Sequence, residues 1–144
     1  MKLYFDTAYL GKYWNEPDGA LVRQLARGSD GLYSSSIRIA EMACLTHRKF
    51  REGPITMADA VIRRDWFLDD LNSGVITTVP VTDKLLRRIE ATTRALPLTC
   101  YLRTFDALHL VTAADSGFSE VWTNDRHMLA AAPHFGLIVR SVER

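Results

Sequence analysis

Short apolar runs alternate along this chain with longer segments whose apolar residues recur every three or four positions. The runs are Lys2–Phe5, Leu32–Ser35, Val75–Pro80, Glu120–Thr123 and Leu137–Arg140. All are short and several are rich in β-branched or aromatic side chains, so each predicts a strand. The longer segments predict helices. Pro17 suits the first turn of one that passes through Val22 and Leu25 and stops at Gly28. Ser36 can cap a second, through Ile37, Ala40 and Cys44 to about Phe50. Thr56 with Asp59 resembles a capping box, opening a helix through Val61, Trp66 and Leu68. Thr82 can begin another through Leu85, Leu86 and Ile89, ended by Pro97. Thr104 to Ala114 is nearly all apolar and predicts a buried helix, and Asp125 can cap a last one through Met128 and Leu129. Strands alternating with helices imply parallel pairing with right-handed crossovers. The expected fold is a three-layer α/β/α sandwich around a mainly parallel five-stranded sheet. No repeat, linker or low-complexity segment divides residues 1–144, which read as a single domain.

Composition narrows the class. Of 144 residues, 47% are hydrophobic and 24% charged, an ordinary globular balance. The net charge of +1 excludes a strong overall polycation, so any contact with nucleic acid must come from local placement of Arg and Lys. Cys44 and Cys100 are too few for a disulfide framework and form no CxxC pair. The opening MKLYFD turns acidic too soon for a signal-peptide core, and no apolar run approaches the length of a membrane span. These features point to a soluble, cytoplasmic protein.

Most acidic residues keep polar company and read as solvated helix faces. Four do not. Asp6 ends the first strand, inside LYFDTAYL, where an ionised carboxylate is costly without a compensating partner. Glu41 is the only charge between Arg38 and His47 and shares a helical stripe with Ile37 and Cys44; Asp106 is the only charge in TFDALHLVTAA; Asp125 follows the strand VWT. Ligands of doubly wound sheets bind beyond the carboxyl ends of the strands, where strand order reverses. If the first and fourth strands are neighbours, all four acids can converge on one cavity. Together they would repel and raise one another's pKa without a cation, and an all-oxygen site of that charge favours Mg²⁺ or Mn²⁺. The competing explanation is that each acid caps a helix or pairs with an Arg, and Asp125 in particular suits a simple N-cap.

Four segments resemble the PIN domain, and in particular the VapC-type ribonuclease toxins of bacterial toxin–antitoxin pairs: LYFDTAYL, SSSIRIAEMACL, RTFDALHLVTAADSGFSEVWTND and HMLAAAPHFGLIV. The resemblance covers essentially the whole chain. It implies that Asp6, Glu41, Asp106 and Asp125 match the family's acidic metal-binding quartet. Thr7 and Thr123 fall where the family often has small polar groups beside the site. It further implies a metal-dependent endoribonuclease that leaves 5′-phosphate and 3′-hydroxyl ends on RNA. The implied partner is an antitoxin whose C-terminal tail lies in a groove and blocks the acidic site, and the implied assembly is a homodimer.

Other residues have ordinary explanations beside functional ones. His109 has helical spacing from Asp106 but reads as packing against the sheet, and His127 and His134 as surface or loop. Arg103, one turn before Asp106, could hold a phosphate, balance the carboxylates, or form a passing surface ion pair. Arg63–Arg64 and Arg87–Arg88 could track an RNA backbone or simply be the wet faces of helices. Tyr13 with Trp14 and Trp66 with Phe67 read as core aromatics by default, with a partner groove as the alternative. Two other functions compete: a PIN-like RNA-binding module without catalysis, against which the intact quartet argues, and a haloacid-dehalogenase-type phosphatase. The latter wants a second Asp where this chain has Ala8 and a lysine partner that is not evident. No GxGxxG or Walker loop supports a nucleotide-driven function.

Overall fold

The alternation of Leu3, Tyr4 and Phe5 sends successive side chains to opposite faces of a strand. Leu3 and Phe5 join one buried cluster and Tyr4 another. The computed structural model describes residues 1–14 and 19–142 and, within the helix opening at Thr7, leaves the side chains of Thr7, Ala8, Tyr13 and Trp14 undescribed. The supporting role expected of the Thr7 side chain, the Tyr13–Trp14 aromatic pair and the helix start at Pro17 therefore lie outside the described residues.

Five strands occur where expected, each within a residue or so: β1 (Lys2–Tyr4), β2 (Gly31–Ser35), β3 (Ile76–Val79), β4 (Glu120–Trp122) and β5 (Ile138–Arg140). Every pairing is parallel. They do not form one continuous five-stranded sheet, which corrects the expectation. A three-stranded sheet of order β1-β2-β3 and a two-stranded sheet β4-β5 meet through a single bridge, Phe5 with Trp122. The reason is local. Beyond Phe5 the chain turns into a helix after one further bond, from Asp6 N–H to the Trp122 carbonyl at 3.2 Å. β1 and β4 are nevertheless neighbours, and β2 lies on the other side of β1, so strand order reverses there.

Seven helices are described: α1 (Thr7–Trp14), α2 (Gly19–Arg27), α3 (Ile37–Glu52), α4 (Met57–Asn72), α5 (Asp83–Thr93), α6 (Thr104–Asp115) and α7 (Arg126–Ala131). A cluster of Leu3, Phe5, Tyr9, Leu10, Val22, Leu32 and Ile76 packs α1 and α2 on one face of the strands. Tyr4, Leu110, Val121, Met128 and Leu137 pack α6 and α7 on the other. The three layers match expectation, and Ala107 to Ala113 of α6 are all buried. Among the described residues no helix is long and apolar enough to cross a membrane.

Some local expectations change. α1 has no counterpart in the predicted helices, because strand-like LYF and its continuation AYL share one apolar run. Ser36 makes no side-chain cap; its Oγ instead accepts from Val81 N–H, and Ser35 Oγ accepts from Ile37 N–H. α3 buries Arg38 and Thr46 while Cys44 is exposed, so its inward stripe is rotated from the apolar one. In α4, Ala60 and Phe67 face inward, a spacing of two turns, whereas Val61, Trp66 and Leu68 are exposed. Trp66 is therefore not core.

The capping box is present: Asp59 N–H donates to Thr56 Oγ1 at 3.1 Å and Thr56 N–H donates to Asp59 Oδ2 at 3.2 Å. Gly53, at φ 92°, closes the preceding helix in the left-handed region. Thr56→Ala should cost about 1 kcal/mol, readable as a lower urea midpoint with unchanged m-value.

Candidate functional site

Asp6, Glu41, Asp106 and Asp125 line one cavity of about 640 Å³ at the carboxyl ends of β1 and β4. Each arrives by a different local route. Asp6 leaves β1 and caps α1, its Oδ1 accepting from Tyr9 N–H at 2.7 Å. Its Oδ2 accepts from the Thr123 hydroxyl at 2.5 Å. Thr123, fully buried after β4, accepts in turn from Asp125 N–H at 2.9 Å. Asp125 caps α7 through Oδ1, which accepts from His127 N–H at 2.7 Å and Met128 N–H at 3.1 Å, leaving Oδ2 turned to Arg103. Asp106 sits in the first turn of α6, where the helix dipole favours a carboxylate.

Arg103 joins the two outer acids. Its Nε donates to Asp106 Oδ2 and its Nη2 to Asp125 Oδ2, both at 2.7 Å. The Arg pairing and helix capping weighed from the sequence are thus real at three of the four acids. They coexist with convergence. Among the described residues no three His, Cys, Asp or Glu side chains stand close enough to hold a cation as arranged.

Three residues at the site were missed or read otherwise from sequence. His109 does not merely pack: it is buried, with Nδ1 at 3.0 Å from the Tyr4 hydroxyl and Nε2 at 3.4 Å from Glu41 Oε2. Burial pushes the Tyr4 phenol far up, so it stays protonated beside Nδ1. Arg38 is fully buried on α3, one turn before Glu41. Burial pulls its guanidinium down to about 10, against the opposing pull of Glu41 and Asp6, so it remains a cation at neutral pH behind the acids. A charged residue beside SSSI gave no signal of this in the sequence, and neither did Tyr4, whose strand position marks only burial. His127 stacks edge-on with Tyr101 at 4.7 Å, and His134 is exposed. Arg87 pairs with Asp83 and Arg88 with Asp115, away from the cavity.

Burial raises the Asp6 carboxyl above its ordinary value of 3.8, against the Thr123 hydroxyl, the Tyr9 N–H and the charges of His109 and Arg38. A folded-state pKa above the unfolded one means stability is complete below the ordinary value and is lost as pH rises through the folded value. Asp6→Asn keeps the shape, and its amide can donate to Thr123. In chelator the variant should melt higher than wild type at neutral pH, by about 2–4 °C per kcal/mol relieved. The gap should close as the pH falls toward 4. A pH series of paired thermal melts reads this directly.

No curated protein matches the chain in sequence. Solved structures share the fold at low identity. A VapBC2 complex from Rickettsia felis, bound to a DNA fragment from its promoter, aligns with TM-score 0.65 and 16% identity over 98% of each chain. FitAB bound to an IR36 DNA fragment aligns with TM-score 0.70 and 14% identity, over 98% of this chain and 94% of that one. The sequence pattern of the PIN domain matches residues 3–133, nearly the full length. With parallel strands that reverse order at β1 and β4, and with acids gathered beyond their carboxyl ends, this chain belongs to the PIN domain family.

Proposed function

We propose that the chain is a metal-dependent endoribonuclease that hydrolyses RNA phosphodiester bonds and acts as the toxin of a toxin–antitoxin pair. The observation that carries the proposal is the convergence of Asp6, Glu41, Asp106 and Asp125 on one cavity wall. Carboxylate oxygens are the donors that Mg²⁺ and Mn²⁺ prefer, so the residues fit such an ion once Arg103 is drawn off Asp106 and Asp125. A bound cation would supply charge stabilisation at a phosphoryl oxygen and a more acidic water.

The protein's own groups do the rest. Tyr9 N–H and Thr123 hold the Asp6 carboxylate in one orientation on the cavity wall, where it would help hold such an ion. Through the line Tyr4–His109–Glu41 the carboxylate of Glu41 is oriented to accept a proton from the attacking water. Once released, Arg103 is placed at the cavity mouth to meet a substrate phosphate with its planar fork.

The VapC resemblance, with the fold shared with VapBC2 and FitAB, supports a cognate antitoxin as partner. We place the protein in the cytoplasm as a homodimer. Exposed Met57, Val61 and Leu68 on the outer side of α4 offer apolar surface that a partner can cover. The Arg103 bridge also favours a second reading, a PIN-like RNA-binding module whose acids are permanently neutralised by arginine.

Metal response separates the two. Mn²⁺ at a hundred times its dissociation constant should stabilise wild type by about 2.7 kcal/mol, and Asp6→Asn clearly less; no response in either protein would favour the non-catalytic module. Asp106→Asn should keep the melting profile yet abolish cleavage of RNA in Mg²⁺ or Mn²⁺. For the partner, co-expression with the adjacent small reading frame should give a stable complex with suppressed ribonuclease activity. A chain that purifies alone, is harmless to cells and binds no such product would remove the toxin role even if the nuclease role stands.

A further inference from the structure

The acidic cavity does not end at the acids. A second groove, of about 310 Å³, runs between α3 and α4 and shares Gly11, Leu45 and Lys49 with the cavity as lining. Trp66 stands in it with 54% of its surface exposed, next to Ile62 and Arg63. At the other end Phe105, 52% exposed, lines the acidic cavity itself. A large aromatic left in solvent in a groove is a feature that folding alone does not require.

The charge along this path is as telling as the aromatics. Lys12, Arg48 and Lys49 line the cavity on the side of the groove, and Arg63 continues the basic wall beside Trp66. Partial burial and the nearby charges of Arg63 and Arg48 together pull the Lys49 ammonium down, a sign that three cations are crowded on facing turns of α3 and α4. Asp59, the acid in the groove, has its Oδ2 engaged by Thr56 N–H in the capping box. Crowded cations beside an exposed aromatic match what single-stranded nucleic acid presents, a phosphate backbone with unpaired bases.

We propose that the α3–α4 groove holds a single-stranded segment of the RNA adjoining the bond presented to the acids, with one base stacked on Trp66 and its phosphates between Lys49 and Arg63. The inference rests on the nuclease reading above and deepens it: the substrate is unpaired over several nucleotides, because a duplex keeps its bases stacked on one another and offers none to Trp66. Phe105 provides a stacking surface within the acidic cavity.

The test measures binding in chelator, where no cleavage competes, by titrating the full-length protein with a labelled single-stranded RNA dodecamer. Trp66→Ala should weaken binding about tenfold, the order expected for one lost base stack. Trp66→Phe should recover most of it and Trp66→Leu should not, which separates stacking from simple apolar contact. Lys49→Ala should lower the slope of log affinity against log salt by about 0.7. Arg87→Ala, on the far helix α5, should match wild type, and a fully paired RNA of the same sequence should bind more weakly. Thermal melts confirm that each variant is folded. If wild type binds and, with Mn²⁺, cleaves RNA while Trp66→Ala does both equally well, the groove proposal is overturned and the nuclease reading stands. If wild type neither binds nor cleaves, both fall. If Trp66→Ala retains RNA binding but loses a co-expressed antitoxin, the groove belongs to a protein segment and the RNA path is overturned.

Discussion

Thr123 gives its hydroxyl hydrogen to the Asp6 carboxylate and takes one from the Asp125 backbone, so one buried side chain ties together two acidic residues at the ends of adjacent parallel strands. The backbone does little at this junction, where a single bridge joins the two halves of the strand layer. The ladder is weakest at the point where the acids gather. The Asp6 carboxylate, the Thr123 hydroxyl and the Asp125 N–H are committed to one another, and such a network specifies one arrangement because a half-satisfied version is costly. The same two acids cap α1 and α7, so the starting positions of both helices depend on this contact.

Around that knot the protein balances negative charge in graded ways. Arg38 lies fully inside, behind Asp6 and Glu41, and cannot be exchanged for solvent ions. His109 orients Glu41 from the strand side through Tyr4. Arg103 closes the outer side, half-exposed and on the residue that caps α6 without using its side chain, so its ion pairs are the ones solvent and ligands can most readily dissolve. Fixed charge inside and replaceable charge outside suit a site that admits a cation from solvent. Lys49 and Arg63 continue the positive charge outward along the adjoining groove.

Much of this was present in the chain's own pattern. Short runs rich in β-branched or aromatic residues at LYF and VWT marked strands, and the nearly all-apolar TFDALHLVTAA marked a buried helix. Thr56, Thr82 and Asp125 marked helix starts, since their side chains accept from backbone groups two or three residues on. The four isolated acids were conspicuous because a charge amid apolar neighbours has no local explanation. Tertiary structure decided the rest. Convergence of Asp6 with Asp125 required β1 and β4 to be neighbours, a pairing 117 residues apart in sequence between Asp6 and Thr123. The buried roles of Arg38 and His109, the exposure of Trp66 and the single bridge between sheets depend on which turn of a helix meets the strands. Sequence spacing defines which residues share a stripe, whereas packing chooses the stripe that turns inward.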